Sequence, residues 1–557
     1  MFVSNDDEFV FLPLGGVGEI GMNLAVYGYG ASNDREWLLV DMGVSFATSD
    51  LFGADLVLPD IRFLRNERHN IHALILTHAH EDHYGAVLDL WPQLKIPVYC
   101  TAFTAGLLEI KRKMDFDLYK IPLNIFKAGD RLQIGSFEIE AIAVNHSIPD
   151  PVSLAIRTPL GVVLHTGDWK IDKAPTQGAL TDEKRFRQIG AEGILALICD
   201  STNAMIDKKS LSEQEISQNL QKIIAKTSGR VAVTTFASNI GRIKSIALAA
   251  EKEERRVMLV GRSMKRSVAI AEELGYMEGI TPFLSEEDYD STPRDKIVLI
   301  LTGSQGELRA ALAKIARDEM RDITLTAGDV VIYSSRSIPG NERAIIDIQN
   351  RLIDRGIKVI TDHDTPVHVS GHPYREQLKE MYTWIKPQIL VPVHGDAIHL
   401  EAHASLGEIS GIKTVMRIRN GHVLRLSPGK VEVIDQVPVG RIYKDGNLLG
   451  NENELGIRTR RRLCFMGHVA VSLLLDKSYE LATRAQVVAL GLPKTNDQGL
   501  FLEDILLDSI KYAFNGIPKK RRKDTGIVRE AAHKAVHSAV NKIWGKKTIV
   551  TVFLHRA

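Results

Sequence analysis

Cysteine is scarce in this sequence of 557 residues, and there is no excess of charge of either sign. The three cysteines, Cys100, Cys199 and Cys464, are far apart and form no C-x-x-C pair. This argues against a disulfide framework and against a thiolate zinc site. Seventy basic against 69 acidic residues leave a formal net charge of +1, so any polyanion must bind through local basic patches.

Long apolar runs are also missing. No segment reaches the roughly 18 uninterrupted apolar residues that a membrane span requires. The first residues, "MFVSNDDEFVF", are acidic where a signal peptide would be basic. We therefore expect a soluble cytoplasmic protein with no membrane partner.

The length predicts two to four domains, and the pattern of strands and helices changes along the chain. Short Val/Ile/Leu-rich strands alternate with turns at the start, which predicts a layered α/β fold. A capping box, Ser212 with Glu215, then opens an amphipathic helix that we expect Gly229 to close. We predict these segments: an α/β domain at 1–205, a parallel α/β domain at 206–360, a return to the first domain at 361–436, a Gly/Asn-rich linker at 437–457, and a small α+β domain at 458–557 whose first strand covers about 463–474.

One short segment, H-x-H-x-D-H at 78–83, concentrates metal-ligating side chains directly after an apolar run. His78 and His80 are two positions apart at a predicted strand end, so their side chains point to the same side. Asp82 and His83 open the predicted next helix beside them. Imidazole and carboxylate ligands without sulfur favour Zn²⁺ or a similar divalent ion. The alternative, a polar loop rich in histidine by chance, rarely places all four groups at these offsets.

Further candidate ligands end apolar runs elsewhere: His146, Asp168 and His394. Asp168 suits a bridge between two cations because a carboxylate has two oxygens. A single histidine at a strand end is more often structural, so these candidates depend on the cluster at 78–83. Asp41 also ends an apolar run, and we predict that it orients a ligand imidazole. A helix or turn cap is the alternative for Asp41.

Taken as an ordered series, these residues resemble the metallo-β-lactamase superfamily. The resemblance implies an αββα sandwich that holds two Zn²⁺ per subunit, with Mn²⁺ or Mg²⁺ as alternatives. The ligands that it implies are His78, His80 and His146 for one ion, Asp82, His83 and His394 for the other, and Asp168 as the bridge.

Asp168 and His394 are 226 positions apart, too far for one connection within a sheet, which indicates an inserted domain. The insertion resembles the β-CASP domain of nucleic-acid-processing nucleases, with Asp200 of "CDSTN" in its first motif. The resemblance narrows to the ribonuclease J family and covers nearly the whole chain. The blocks that carry it are "LGGVGEIGMN" (14–23), "FASNIGR" (236–242), "TGSQGE" (302–307), "SSRSIPGNE" (334–342), "HVSGH" (368–372) and "VPVHGD" (391–396).

The ribonuclease J resemblance implies RNA-phosphate contacts, including a 5′-monophosphate, from Ser238, Asn239, His368, Val369, Ser370, Gly371 and His372. His372 would stabilise the scissile phosphate or protonate the leaving oxygen, with Asp82 and Asp200 as the other catalytic residues. A tight turn with a capped strand is the alternative for "HVSGH". A histidine often stands in this family where the chain has Gly241, which bears on the 5′-phosphate contact.

Three other motifs are predicted to have structural roles or to be exposed to solvent. Gly16-x-Gly18-x-x-Gly21 matches a dinucleotide fingerprint, but a strand-like segment follows it instead of a helix, so we predict a glycine-rich loop. "KKRRK" (519–523) and "RTRRR" (458–462) are predicted to be solvated, with RNA or subunit contact as the alternative.

The leading hypothesis is a two-metal ribonuclease that acts on single-stranded RNA in RNA maturation and decay. By resemblance it combines 5′-to-3′ exonuclease action, preferring a 5′-monophosphate, with endonuclease action. A homodimer or homotetramer and an RNA-degradation complex are the partners that the resemblance implies. The alternatives are a DNA nuclease, against which His394 argues, a small ester, thioester or lactam hydrolase, against which the long insertion argues, and an RNA-binding scaffold with a silent site.

Overall fold

The structure is a computed structural model that describes residues 4, 6–47, 51–114, 119–338 and 340–557. Contacts divide the chain into two units, Met1–Ser45 with Leu58–Arg441, and Phe46–Val57 with Ile442–Ala557. The strands are β1 (Asp7–Gly15), β2 (Leu24–Ala31), β3 (Glu36–Val40), β4 (Ser45–Phe46), β5 (Leu56–Pro59), β6 (Ile71–Ile75), β7 (Val98–Cys100), β8 (Leu123–Ile125), β9 (Arg131–Ile134), β10 (Phe137–Ala143), β11 (Val152–Thr158), β12 (Gly161–His165), β13 (Ala196–Asp200), β14 (Val231–Thr234), β15 (Arg256–Val260), β16 (Ile297–Leu301), β17 (Val330–Tyr333), β18 (Lys358–Ile360), β19 (Ile389–Val393), β20 (Thr414–Val415), β21 (His422–Ser427), β22 (Glu432–Gln436), β23 (Arg441–Asp445), β24 (Leu448–Gly450), β25 (His468–Leu475), β26 (Gln486–Leu490) and β27 (Ile549–Arg556).

Helices connect these strands in both units. They are α1 (Arg62–Asn66), α2 (Glu81–Tyr84), α3 (Val87–Leu94), α4 (Ala102–Met114), α5 (Glu183–Glu192), α6 (Glu213–Lys226), α7 (Ile240–Lys252), α8 (Arg262–Glu273), α9 (Ala311–Ala316), α10 (Glu342–Asp354), α11 (Arg375–Ile385), α12 (Ala397–Ile409), α13 (Ile457–Met466), α14 (Leu502–Asn515) and α15 (Thr525–Trp544). None of the helices in the described ranges has both the length and the apolar character needed to cross a membrane.

Two large sheets form the core of the first unit. Their strand orders are β22-β21-β1-β2-β3-β6-β7-β8 and β20-β19-β13-β12-β11-β10-β9. Alternate apolar residues of both sheets, among them Tyr27, Leu154 and Val391, meet in one buried cluster. A second cluster, with Phe186 of α5 and Trp384 of α11, covers the outer face of the second sheet. This is the αββα sandwich of the metallo-β-lactamase fold, as the sequence predicted.

A second α/β body lies between β13 and β19. These strands pair in parallel, from Ala196 opposite Ile389 to Asp200 opposite Val393, although 188 residues separate them. The intervening chain contains a parallel five-stranded sheet, β15-β16-β14-β17-β18, with its own apolar core. The inserted domain is therefore confirmed, and the return strand places His394 beside Asp200.

In the second unit, α14 and α15 pack on one face of the sheet β26-β25-β27. A separate sheet has the strand order β24-β23-β5-β4. The segment boundaries at 205, 360, 436 and 457 stay predictions.

Several local expectations were wrong. The helix that begins after Ser212 ends at Lys226 instead of reaching Gly229, because Thr227 has an extended backbone conformation. Residues 463–466 belong to helix α13, and the strand begins only at His468. The predicted linker at 437–457 contains the hairpin of β23 and β24. The return segment, expected to be strands and loops, also forms helices α11 and α12.

Candidate metal centre

The first group of predicted ligands converges at the ends of β6, β10 and β12. Ligand atoms of His78, His80, His146 and Asp168 all lie within 4.8 Å of one another. His80 Nδ1 is 3.2 Å from His78 Nε2 and 2.9 Å from His146 Nε2. Lone pairs of neutral imidazoles repel at these distances unless a proton or a cation lies between them. The donor set therefore fits a divalent cation bound by nitrogen and oxygen.

A second group shares Asp168 with the first. Ligand atoms of Asp82, His83, Asp168 and His394 also lie within 4.8 Å of one another. Asp168 Oδ2 is 3.3 Å from His83 Nε2, and Asp168 Oδ1 is 2.9 Å from His394 Nδ1. The carboxylate of Asp168 thus faces both groups, the position that a bridging ligand requires.

Burial and charge give the histidines of the two groups different protonation states. Burial lowers the pKa of His78 and of His146 well below 6.5, and it lowers the pKa of His80 to about 4. These rings are therefore neutral at pH 7, the form that ligates a metal. Burial also opposes charge on His83 and His394, but the Asp168 carboxylate raises the pKa of both well above its ordinary value. The carboxylates therefore dominate the electrostatic potential of the second group, and this potential attracts cations.

Asp41 contacts one candidate ligand ring, and its orienting role stays a prediction. Its Oδ2 accepts a hydrogen bond from His83 Nδ1 at 2.7 Å, which leaves Nε2 directed at the candidate metal site. The same carboxylate accepts from the Thr77 backbone N–H at 2.8 Å and from the Thr77 hydroxyl at 2.9 Å. Asp41 has φ 63° and His394 has φ 53°, a region that non-glycine residues rarely adopt. Two such strained residues therefore lie at the candidate metal centre.

The "HVSGH" segment packs directly on a candidate ligand. His146 Nδ1 donates to the Gly371 carbonyl at 2.7 Å, so Nε2 is the nitrogen left to ligate. A Cβ on Gly371 would lie 2.6 Å from the His146 ring, so only glycine permits this contact. Gly43 is equally constrained, because its Cβ would lie 1.7 Å from the Asp82 carbonyl oxygen.

The second histidine of this segment, His372, pairs with Asp200. His372 Nδ1 is 2.8 Å from Asp200 Oδ2, and Asp200 Oδ1 accepts from the backbone N–H and hydroxyl of Thr202. Burial opposes a proton on His372, but the carboxylates of Asp200 and Asp168 raise its pKa above the ordinary value. Asn203 donates to Ser370 Oγ at 2.9 Å and to the His372 carbonyl at 3.1 Å, which holds the loop in place. The "CDSTN" segment thus holds the "HVSGH" segment in place.

The other predicted phosphate contacts lie near a cavity of about 520 Å³ that reaches His146. Asn239 lines it and caps α7 by accepting from the Arg242 N–H at 3.0 Å, while its Nδ2 is buried and has no partner among the described residues. Ser238 precedes this cap and is partly exposed. Gly241 also lines the cavity, and its carbonyl accepts from the Thr176 hydroxyl at 3.0 Å.

His368 and Val369 lie on the loop before Ser370, and burial lowers the pKa of His368 to about 3.

Beneath this loop lies a buried ion network that the sequence analysis missed. The guanidinium of Arg242 donates to Glu213 Oε2 at 2.8 and 3.1 Å, to Ser334 Oγ at 2.5 Å and to the Val367 carbonyl at 3.1 Å. Lys170 donates to the other Glu213 oxygen at 3.1 Å. The only local signal was the charge of Arg242 within the apolar positions of α7, because each partner is distant along the chain.

Models of four known domains match the chain in the order of its segments. The β-lactamase superfamily domain matches residues 36–183, and the ribonuclease J β-CASP domain matches 228–352. The Zn-dependent metallo-hydrolase RNA specificity domain matches 356–417, which includes "HVSGH" and His394. The ribonuclease J C-terminal domain matches 455–557.

Whole-chain relatives agree with these matches. The chain is 58% identical to ribonuclease J of Sinorhizobium meliloti over 99% of this chain and 98% of that protein. It is 34% identical to ribonuclease J of Thermus thermophilus over 98% of this chain and 94% of that protein. A crystal structure of a protein of unknown function from Enterococcus faecalis V583 shares the fold, with a TM-score of 0.52 and 17% identity over 75% of this chain and all of that one. On the match over its full length, the chain belongs to the ribonuclease J family.

Proposed function

We propose that this member of the ribonuclease J family hydrolyses single-stranded RNA with two divalent metal ions, giving 5′-phosphate and 3′-hydroxyl ends. The observation that carries the proposal is that two donor groups share Asp168 and lie beside the His372–Asp200 pair. His78, His80 and His146 would hold one ion, Asp82, His83 and His394 the other, and Asp168 both. Bound there, the ions would supply Lewis-acid stabilisation of the phosphodiester and an activated water.

The residues around the metal centre have separate tasks in this mechanism. Asp200 holds His372 through Nδ1, so the Nε2 atom is left to carry a proton to the departing 3′-oxygen. Ser370 and the backbone of Gly371 lie between His372 and His146, where they can orient the scissile phosphate. Asp41 keeps the His83 ring fixed throughout, so that positioning precedes substrate binding.

Exonuclease action from the 5′ end is supported by the cavity beside His146. About 520 Å³ lies in the size range of small-molecule sites and can enclose one nucleotide. The unpartnered Asn239 Nδ2 at its wall is a donor suited to a terminal phosphate or sugar. Internal cleavage would use the same centre on RNA that passes through without placing its end in the cavity. Zinc agrees with the nitrogen-rich first group, with Mn²⁺ or Mg²⁺ as alternatives.

The experiment compares products from 3′-labelled and internally labelled RNA with a 5′-monophosphate or a 5′-hydroxyl, beside matched DNA. We expect mononucleotides mainly from the 5′-monophosphate RNA, together with some internal cuts. An Asp82→Ala, His83→Ala variant is the control and should lose both products. Cleavage of DNA at the same rate would favour a DNA nuclease, and no RNA cleavage with metal present would refute the proposal.

A further inference from the structure

Charge is divided unevenly along the chain. Residues 442–557 contain 20 lysines and arginines against 11 aspartates and glutamates, a formal charge of +9. Residues 1–441 contain 50 basic and 58 acidic residues, a formal charge of −8. A polyanion is therefore attracted by the C-terminal region and repelled, on average, by the part of the chain that carries the candidate metal centre.

The sheet of the second unit leaves one face open. Alternate residues of β25, such as Val469 and Val471, are buried against α14 and α15. The register of β26 and β27 places Val488, Leu490 and Phe553 on the opposite side. Their exposed fractions are 52%, 61% and 52%. We call these three residues the open face.

The first basic cluster lies where β25 and β27 begin, and we define it as Arg461, Arg462 and Lys546. The two arginines are exposed on α13, which ends just before β25. Lys546 precedes β27, donates to the Phe465 carbonyl at 3.2 Å and lies 4.6 Å over the Trp544 ring. Cations interleaved with aromatic rings are typical of surfaces that bind single-stranded nucleic acid.

A second basic cluster, Lys523 and Arg556, lies where the same strands end, but on the other side of the sheet, because Arg556 pairs with Leu475, which is buried against the helices. Both cations lie over the Tyr479 ring, at 6.0 and 4.9 Å from its centre. The neighbouring Glu480 pairs with Lys519 and Arg522 instead. This second cluster is therefore not part of the open face.

We propose that the open face, together with the first basic cluster, binds single-stranded RNA outside the metal centre. This inference rests on the proposed function for the identity of the substrate. Phosphates would contact the first basic cluster, and a base would stack on Phe553. Charge favours RNA over a second copy of the chain, since two copies joined through this face would bring two regions of +9 together.

The test uses the full chain and 5′-phosphorylated oligouridine of about 30 or about four nucleotides. The charge variant carries R461Q, R462Q and K546Q. Its matched control carries K511Q, R529Q and K534Q, exposed residues on the two helices that cover the other face, so both variants lose three positive charges. Kd is measured by fluorescence anisotropy in an Asp82→Ala, His83→Ala background that leaves the RNA intact.

For the long RNA, we expect the charge variant to raise Kd about tenfold and to reduce the slope of log Kd against log salt by about 2, since each phosphate contact adds about 0.7. Phe553→Ala should raise Kd about tenfold with the slope unchanged. Neither change should affect kcat for the short RNA, measured with Asp82 and His83 intact.

Equal effects of the charge variant and its control would overturn the inference. So would variants that change the molar mass in solution but leave RNA binding unaltered, because the open face would then join two copies. Failure of the wild-type chain to cleave RNA that it still binds through this face would refute the proposed function alone.

Discussion

Replacing Arg242 with methionine should destabilise the first unit by about 3 to 5 kcal/mol, because it leaves a buried carboxylate with one partner fewer. The Arg242 side chain is fully buried, and it gives Glu213 two hydrogen bonds. After the change, Lys170, at 3.1 Å, would be the cation left at the Glu213 carboxylate among the described residues. Methionine fills similar space, so the loss would come mainly from charge rather than from a cavity.

The titration of Glu213 gives a second measure of the same network. Burial alone would raise its pKa, but Arg242 and Lys170 lower it from 4.5 to about 2. Because the pKa of Glu213 is lower in the folded chain than in the unfolded one, its ionised form stabilises the fold at pH values above the unfolded pKa. This stabilisation is lost as pH falls from about 4.5 towards 2. The shift corresponds to about 3 kcal/mol at pH 7, in agreement with the first figure. Arg242→Met should remove much of this pH dependence.

Urea unfolding followed by circular dichroism at pH 7 and pH 4 measures the free energy of unfolding. Arg343→Met, at an exposed position of α10, is the matched control and should change it by less than about 0.5 kcal/mol. Adding Glu213→Leu to Arg242→Met should recover part of the lost free energy of unfolding, since the buried carboxylate that lost the guanidinium is gone. If Arg242→Met lowered the free energy of unfolding by less than about 1 kcal/mol, the reasoning would be refuted. A double variant no more stable than the single one would also refute it.

Three further predictions concern the metal centre and the inserted domain. Asp41→Asn should weaken metal affinity about 10- to 100-fold, measured by chelator competition, because the His83 ring loses its carboxylate; unchanged affinity would contradict this. Gly43→Ala should abolish metal binding, since its Cβ would lie 1.7 Å from the Asp82 carbonyl oxygen, and a normal metal content would show that the loop can move instead. Ser212→Ala should lower the free energy of unfolding by about 1 kcal/mol, because it removes the capping box of α6. The variant should have a lower Tm and unchanged RNA cleavage, and a loss of cleavage would give Ser212 another role.

The candidate ligands could be predicted because each belongs to a local pattern. His78 to His83 lie on one strand end and the helix turn after it, and His146, Asp168 and His394 each follow an apolar run. The spacing between Asp168 and His394 also revealed the insertion, since a sheet cannot use so long a connection. What no local pattern contains is the pairing of Arg242 with its distant partners.

The hairpin of β23 and β24 was missed for a different reason. Gly and Asn dominate that stretch, and composition favoured a linker. Gly446-Asn447, the two residues between the paired Asp445 and Leu448, was the signal that could have found it, because Gly-Asn favours tight hairpin turns. Composition averaged over some twenty residues conceals a turn that depends on two.

The parallel pairing of β13 with β19 also has a consequence for the order of assembly. If the 188 residues between them were unstructured, closing that loop would cost about 3 kcal/mol more than closing a loop of six, because the entropy cost grows with the logarithm of length. In the folded insert, Arg242 bonds both Glu213, near its start, and Val367, near its end. The insert thus brings its own ends together, and the favourable sequence is for it to fold first. Asp200 and His394 meet only afterwards, so a chain with a misfolded insert never completes the centre that could cut RNA.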